Sequence, residues 1–137
     1  KIILMFYVVI INYGCSFTFS DKVVNGSNYK ISYYTNGNME YKSEYKNGKL
    51  NGVTKYWDEN KNLISEAIYS NGKLHGLWVS YFENGKIKSK VNYYYGSKDG
   101  KEEVFYSTGQ RKSITKYNEG KIVSKTMRWT MNGDLIQ

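Results

Sequence analysis

The chain of 137 residues has no proline, one cysteine, one histidine, one alanine (Ala67) and six leucines. Each scarcity removes a class of protein. A single cysteine, Cys15, excludes an internal disulfide framework and any metal site built from several thiolates. The lone His75 excludes a cluster of imidazole ligands. With almost no alanine and few leucines, the strong helix formers are missing. The abundant residues are of the opposite kind. There are 15 Tyr, 5 Phe and 3 Trp beside Val, Ile and Thr, all suited to a pleated strand surface, and 13 Gly. The length fits one domain with a modest core. Lys and Arg number 20 against 12 Asp and Glu, a formal +8. The composition predicts a small, basic, all-β domain with little equipment for catalysis.

The first twenty residues differ from the rest. Lys1 is followed by ten uncharged residues, Ile2–Ile11. That run is shorter than the roughly 20 apolar residues of a membrane-spanning helix. A basic start, a short apolar run and then small residues predict a secretory signal over residues 1–20, with cleavage after Thr18-Phe19-Ser20. Gly14-Cys15 also resembles a bacterial lipoprotein signal, in which Cys15 would be lipidated. The alternative is that residues 2–11 form a buried first strand. The expected location is therefore the cell envelope or the exterior, or the cytoplasm if the segment is not a signal.

From about residue 28 the chain repeats. Gly48, Gly72, Gly96 and Gly120 stand 24 residues apart, and so do Gly52, Gly76 and Gly100, with Ser124 next in line. Tyr45, Tyr69, Tyr93 and Tyr117 keep the same spacing. So does an aromatic ladder of Tyr33, Trp57, Tyr81, Phe105 and Trp129. A further ladder, Gly37, Gly85, Gly109 and Gly133, skips one unit, where Lys61 stands. The units are 28–51, 52–75, 76–99 and 100–123, with a partial fifth from 124 to 137, so the repeat domain covers 21–137. In the unit 76–99, Asn84-Gly85 is a strong hairpin signal and predicts a tight primed turn. The run after it alternates Ile87, Ser89, Val91 and Tyr93 with polar residues, the mark of a half-buried strand. Units are joined by glycine-containing links such as Ser70–Gly76. Residues 24 apart occupy equivalent sites, so the aromatic ladder should line one face and stack.

The stretch Tyr69-x-Asn71-Gly72-Lys73-Leu74-x-Gly76-x-Trp78-x-x-Tyr81-Phe82-Glu83-Asn84-Gly85-Lys86-Ile87 resembles the variant MORN repeat of bacterial proteins, often labelled YwqK-type toxin–antitoxin antitoxins. The resemblance covers residues 29 to 137. It implies an elongated, open antiparallel β-meander of 24-residue hairpins, used for protein or membrane contacts rather than catalysis. Lys61 and Ser124 depart from the pattern and mark degenerate or capping units.

No catalytic constellation stands out. His75 occupies a position held by Asn51, Asp99 and Val123 in neighbouring units, and reads as a surface linker residue. Glu102 and Glu103 are adjacent on a strand and must point to opposite faces. Asp58-Glu59 borders a turn. The glycines recur in hairpin turns, not before a helix, so no phosphate-cradling loop exists. No cofactor is expected.

Lys49, Lys73 and Lys121 directly follow one glycine ladder, and Lys86 follows Asn84-Gly85 on the other kind of turn. Equivalent tips line up in a repeat stack, giving a row of positive charge that could hold anionic lipid or glycan. The same lysines also serve solubility and protect strand edges. Nucleic acid is disfavoured, because no basic-aromatic recognition motif is present. The reading is a non-catalytic scaffold that binds a protein partner at the cell envelope. The alternatives are an antitoxin or immunity-type protein and an anionic-surface module. Two aromatic-rich faces also allow self-association.

Overall fold

The computed structural model describes residues 20–24 and 27–136, with side chains from Asn28 onward. Cys15 and the segment 2–11 lie outside the described residues. The described chain contains no helix. It is one antiparallel sheet of β1 (Ser20–Val24), β2 (Ser27–Tyr33), β3 (Met39–Lys46), β4 (Lys49–Trp57), β5 (Leu63–Ser70), β6 (Lys73–Tyr81), β7 (Ile87–Tyr94), β8 (Ser97–Phe105), β9 (Arg111–Asn118), β10 (Lys121–Ile122), β11 (Met127–Trp129) and β12 (Leu135–Ile136). The strands lie side by side in chain order from β1 to β9, followed by β11 and β12, with β10 also on β9. This is the open meander of hairpins that the repeats imply.

Two turn types alternate, and backbone sign separates them. Asn47-Gly48, Asn71-Gly72, Tyr95-Gly96 and Glu119-Gly120 all have positive φ at both residues. They connect strand ends paired as Lys46↔Lys49, Ser70↔Lys73, Tyr94↔Ser97 and Asn118↔Lys121. These are the two-residue primed hairpins whose twist suits the strands. The Asn84-Gly85 turn is different. Only Gly85 has positive φ, at 76°. Its N–H donates to Phe82 O at 2.9 Å, while Phe82 N–H donates to Lys86 O at 2.8 Å. That is a three-residue loop ending in a left-handed bulge residue. The tight primed turns therefore sit in the segments read from sequence as links. The link residues Lys73–Gly76 already belong to a strand.

Strands β4, β6 and β8 each carry a bulge at their glycine. Residues 51–53 face Glu44 alone, residues 75–77 face Ile68, and residues 99–101 face Asn92. Gly52, Gly76 and Gly100 adopt φ of 117°, 118° and 89° there. At Gly76 a Cβ would come within 3.3 Å of Ile68. Ser124 stands at the fourth such position and does not take positive φ. The strand consequently splits into β10 and β11, although Val123 N–H still reaches Lys116 O at 2.9 Å and the hydroxyls of Thr115 and Thr126 meet at 3.0 Å. Lys61, by contrast, accepts the left-handed conformation at φ 69°. Its turn is held by Asp58 Oδ1, which accepts from the N–H groups of Asn60 (2.9 Å) and Asn62 (2.8 Å).

Alternation along the register defines two faces. One carries the row Ser43, Thr54, Ala67, Trp78, Val91, Glu102 and Thr115, each opposite the next. Tyr45, Tyr69, Tyr93 and Tyr117 lie two residues further along the same face. We call it the tyrosine face. Its floor is buried although the sheet has a single layer: Ser43 is 2 % exposed, Ala67 4 %, Val91 1 % and Thr115 8 %. Small side chains sit in the trough between tall aromatic neighbours. The opposite, charged face carries the row Lys42, Lys55, Glu66, Val79, Lys90, Glu103 and Ile114.

Hydrogen bonds between successive repeats lock both turn edges. At the primed turns, Gly72, Gly96 and Gly120 donate their N–H groups to Leu50, Leu74 and Lys98 carbonyls, all at 2.8 Å. At the other edge, the side-chain amides of Asn36 and Asn84 donate to Glu59 O (3.1 Å) and Ser107 O (2.9 Å). The Tyr34 and Tyr106 hydroxyls donate to Trp57 O and Trp129 O, both at 2.8 Å. No hairpin stands alone, and isolated hairpins are marginal in water.

Two substitutions test this account by chemical denaturation. Gly76→Ala places a Cβ in a left-handed bulge against Ile68 and should destabilise by about 1–3 kcal/mol. An unchanged unfolding midpoint would refute the bulge geometry. Lys61→Gly removes about 1–2 kcal/mol of left-handed strain against about 0.4–1 kcal/mol of added chain entropy. It should raise stability by up to about 1 kcal/mol; a loss of stability would mean that Lys61 is not strained.

Candidate interaction surfaces

The aromatic ladder lies at the ends of β2, β4, β6, β8 and β11. Its members pair as Tyr33↔Met39, Trp57↔Leu63, Tyr81↔Ile87, Phe105↔Arg111 and Trp129↔Leu135. Ladder residues are thus two strands apart, about 9–10 Å by strand spacing. An aliphatic or arginine side chain intervenes, so the register does not build the expected ring-on-ring stack. Three of the rings, those of Tyr81, Phe105 and Trp129, take charged partners instead. Lys90 Nζ lies 5.7 Å from the centre of Phe105, and the Arg111 guanidinium 5.6 Å from that of Trp129. The Tyr81 hydroxyl donates to Glu66 Oε1 at 2.7 Å.

That face neutralises much of its own charge. Lys55 pairs with Glu66 at 3.2 Å, Lys90 with Glu103 at 2.8 Å, and Arg111 with Glu103 at 3.3 Å. The Tyr81 hydroxyl, then Lys55, hold the Glu66 carboxyl below its ordinary value. Lys90, then Arg111, do the same for Glu103. Glu102 sits on the tyrosine face, as expected, bound to Lys98 and to the Tyr117 hydroxyl (3.0 Å). The two adjacent carboxylates serve separate faces and cannot act on one substrate. Among the described residues no group of three or more His, Cys, Asp or Glu could hold a metal ion.

The tyrosine face concentrates phenol rings. The Tyr69 hydroxyl is pushed up by burial first, then by Tyr56, Tyr45 and Tyr93 around it. Tyr41 and Tyr56 rings meet at 5.7 Å.

The predicted lysines divide between the two edges. Lys49, Lys73 and Lys121 are exposed at the primed turns, and none joins an ion pair with a described residue. The third repeat interrupts the row: Ser97 takes the equivalent place, and Lys98 turns to Glu102. Lys86 lies on the opposite edge, where its ammonium donates to Thr108 O at 2.7 Å. Beside it, a shallow cleft of about 450 Å³ is lined by Tyr81, Phe82, Glu83, Asn84, Lys88 and Ser107.

His75 is not the surface linker expected. It is half-buried at the bulge beside Gly76, and its ring lies 4.5 Å from Tyr95 and 5.3 Å from Tyr94. The bulge turns it toward the next primed hairpin tip. A signal for this cluster was present in the sequence. The primed turns read Tyr45-Lys46-Asn47, Tyr69-Ser70-Asn71 and Tyr117-Asn118-Glu119, but the third reads Tyr93-Tyr94-Tyr95.

The Tyr81–Glu66 bond gives stability a signature at both ends of the pH scale. Glu66, with its lowered value, stabilises the fold above the ordinary carboxylate pKa, and this is lost as pH falls. Tyr81, pushed up to about 12 by burial and then by Glu66, stabilises it below the ordinary phenol pKa. That contribution is lost as pH rises through about 12. In Tyr81→Phe, thermal midpoints followed from acid to alkali should vary less with pH at both ends. Profiles parallel to wild type would show that the bond carries no linkage.

No curated protein matches the chain in sequence. The repeat profile described as "MORN repeat variant" matches residues 29–47, 50–73, 74–93 and 98–119, well over half of the chain. Each matched stretch overlies the hairpins described above, and repeats of this kind are commonly binding scaffolds rather than enzymes. By its repeats and by the sheet they build, the chain belongs to the MORN repeat variant family.

Proposed function

We propose that this chain is a non-catalytic scaffold that binds a protein partner across its sheet, at the cell envelope. The observation that supports this best is the tyrosine face, a single-layer surface on which Tyr45, Tyr56, Tyr69 and Tyr93 gather over a floor of small residues. Tyrosine supplies large contact area with a polar tip and is enriched at protein interfaces. The opposite face ties Lys55, Lys90 and Arg111 to its own carboxylates. An antitoxin or immunity protein would be one form of this reading, with the sheet covering a toxin. Placement at the envelope is supported by Lys1, the apolar run Ile2–Ile11 and Gly14-Cys15.

A second reading, an anionic lipid or glycan surface module, is favoured by the exposed Lys49, Lys73 and Lys121 on one edge.

Affinity purification of the full chain from its own cells tests the first reading. A protein should co-elute in stoichiometric amount and slow amide exchange in β5 and β7. If no protein does so, while anionic vesicles bind and are released as salt rises, the second reading replaces the first. Cell fractionation with sequencing of the mature N-terminus tests the location. A cytoplasmic protein that retains residues 2–11 would overturn it.

A further inference from the structure

The third repeat breaks the pattern of the primed-turn edge in several ways at once. Where Asn47, Asn71 and Glu119 open the left-handed turn, Tyr95 does so at φ 45°. A bulky aromatic residue is a rare occupant of that conformation, which Asn tolerates far better. Where Lys46, Ser70 and Asn118 precede it, Tyr94 stands. The two rings meet edge to face at 4.9 Å and remain 59 % (Tyr94) and 48 % (Tyr95) exposed. His75 packs beneath both, and its Nδ1 is buried with no hydrogen-bond partner among the described residues. Backbone strain and an unsatisfied polar atom thus coincide at one tip. Such costs gather where a local structure serves binding.

The surroundings say what kind of partner fits. Lys73 on the preceding hairpin and Lys121 on the following one flank the tip, each exposed and outside any ion pair with a described residue. The lysine of the row is missing only at the tip itself, where Ser97 stands. The result is an aromatic centre within a positive rim. Protein interfaces share this arrangement, with desolvated Tyr anchors inside and charge at the periphery. A membrane surface would be served better by an unbroken lysine row. Tyr94 and Tyr95 sit on a two-residue turn in contact with each other and with His75.

We propose that Tyr94, Tyr95 and His75 form the anchor point for an acidic protein segment, one that presents an apolar side chain to the rings and carboxylates to Lys73 and Lys121. This rests on the scaffold reading above and names the chemistry of the partner.

The probe is a phage-displayed library of random peptides, panned on the full chain. The control bait is Tyr94→Ser/Tyr95→Asn, which restores the residues of the second repeat. That variant relieves the strained turn, so its thermal midpoint should equal or exceed that of wild type, which separates loss of binding from loss of fold. Enriched peptides should carry Asp and Glu around an aromatic or aliphatic residue. They should bind the double variant at least tenfold more weakly. Lys73→Glu and Lys121→Glu should also weaken them and reduce the salt dependence of what binding remains. No enrichment, an acid-poor consensus, or equal binding to the double variant overturns the proposal. Anionic vesicles that bind through the tyrosines while no peptide is enriched would overturn it in favour of a membrane. If the double variant still retains the partner recovered from cells, the scaffold reading stands and this anchor falls. If neither bait retains any protein, the scaffold reading falls as well.

Discussion

The sheet depends on left-handed backbone at fixed chain positions. A strand continues until a residue can take positive φ, so these positions set strand length, turn type and register together. Eleven glycines among the described residues take it, and all eleven belong to the 24-residue ladders. Paired positive φ values at Asn71-Gly72 close a tight hairpin, the single one at Gly85 closes a wider loop, and Gly76 makes the bulge. Once these are in place, every hairpin meets its neighbour in the same way. The Gly72, Gly96 and Gly120 amides then reach equivalent carbonyls one repeat back. Burial follows from this registration rather than driving it. Small residues such as Ala67 and Val91 are buried in the trough beside the larger Trp78.

The period made this architecture legible before any coordinate was known. Antiparallel hairpins, the half-buried alternation around Val91 and the opposed faces of Glu102 and Glu103 all follow from spacing and the two-residue pleat. Turn identity was less legible. Asn-Gly occurs in both turn types, at Asn71-Gly72 and at Asn84-Gly85, and the dipeptide does not report how many residues the loop spans. The aromatic ladder was expected to stack ring on ring, and the register does not bring its members next to one another. Residues 24 apart are separated by a whole strand, so side chains such as Arg111 come between the rings. His75 was misread because its neighbours in the ladder, Asn51 and Asp99, are ordinary polar residues. Its partners Tyr94 and Tyr95 come from the next hairpin, 19 and 20 positions on.

Charge follows the same division between what is copied and what is local. A net charge of +8 suggests a broadly basic molecule, but the charged face ties Lys55, Lys90 and Arg111 to Glu66 and Glu103. Lys49, Lys73 and Lys121 at the primed-turn edge join no ion pair with a described residue. Exposed surface pairs contribute little to stability, so Lys49, Lys73 and Lys121 can be freely disposed without weakening the sheet. Their field reaches about 8–10 Å at ordinary ionic strength, comparable with the two-strand separation of successive tips. Neighbouring lysines therefore act together, and the gap at Ser97 matters because it interrupts a continuous field.

A repeat protein describes itself many times over, and its individuality lies in its departures. Three departures here have different physical consequences. Ser124 does not take the positive φ of the bulge, and the strand is divided there into β10 and β11. Lys61 adopts the strained conformation, and Asp58 rebuilds the turn around it with bonds to Asn60 and Asn62. That departure is absorbed locally. Tyr95 adopts a strained conformation as well, but its compensation comes from a different hairpin, through His75, and leaves two rings exposed to solvent. A replacement needed only to close the turn would resemble Asn71. The contacts that hold Tyr95 orient its ring outward rather than relieve its backbone. A partner that meets the two exposed rings would give this arrangement a role beyond closing the turn.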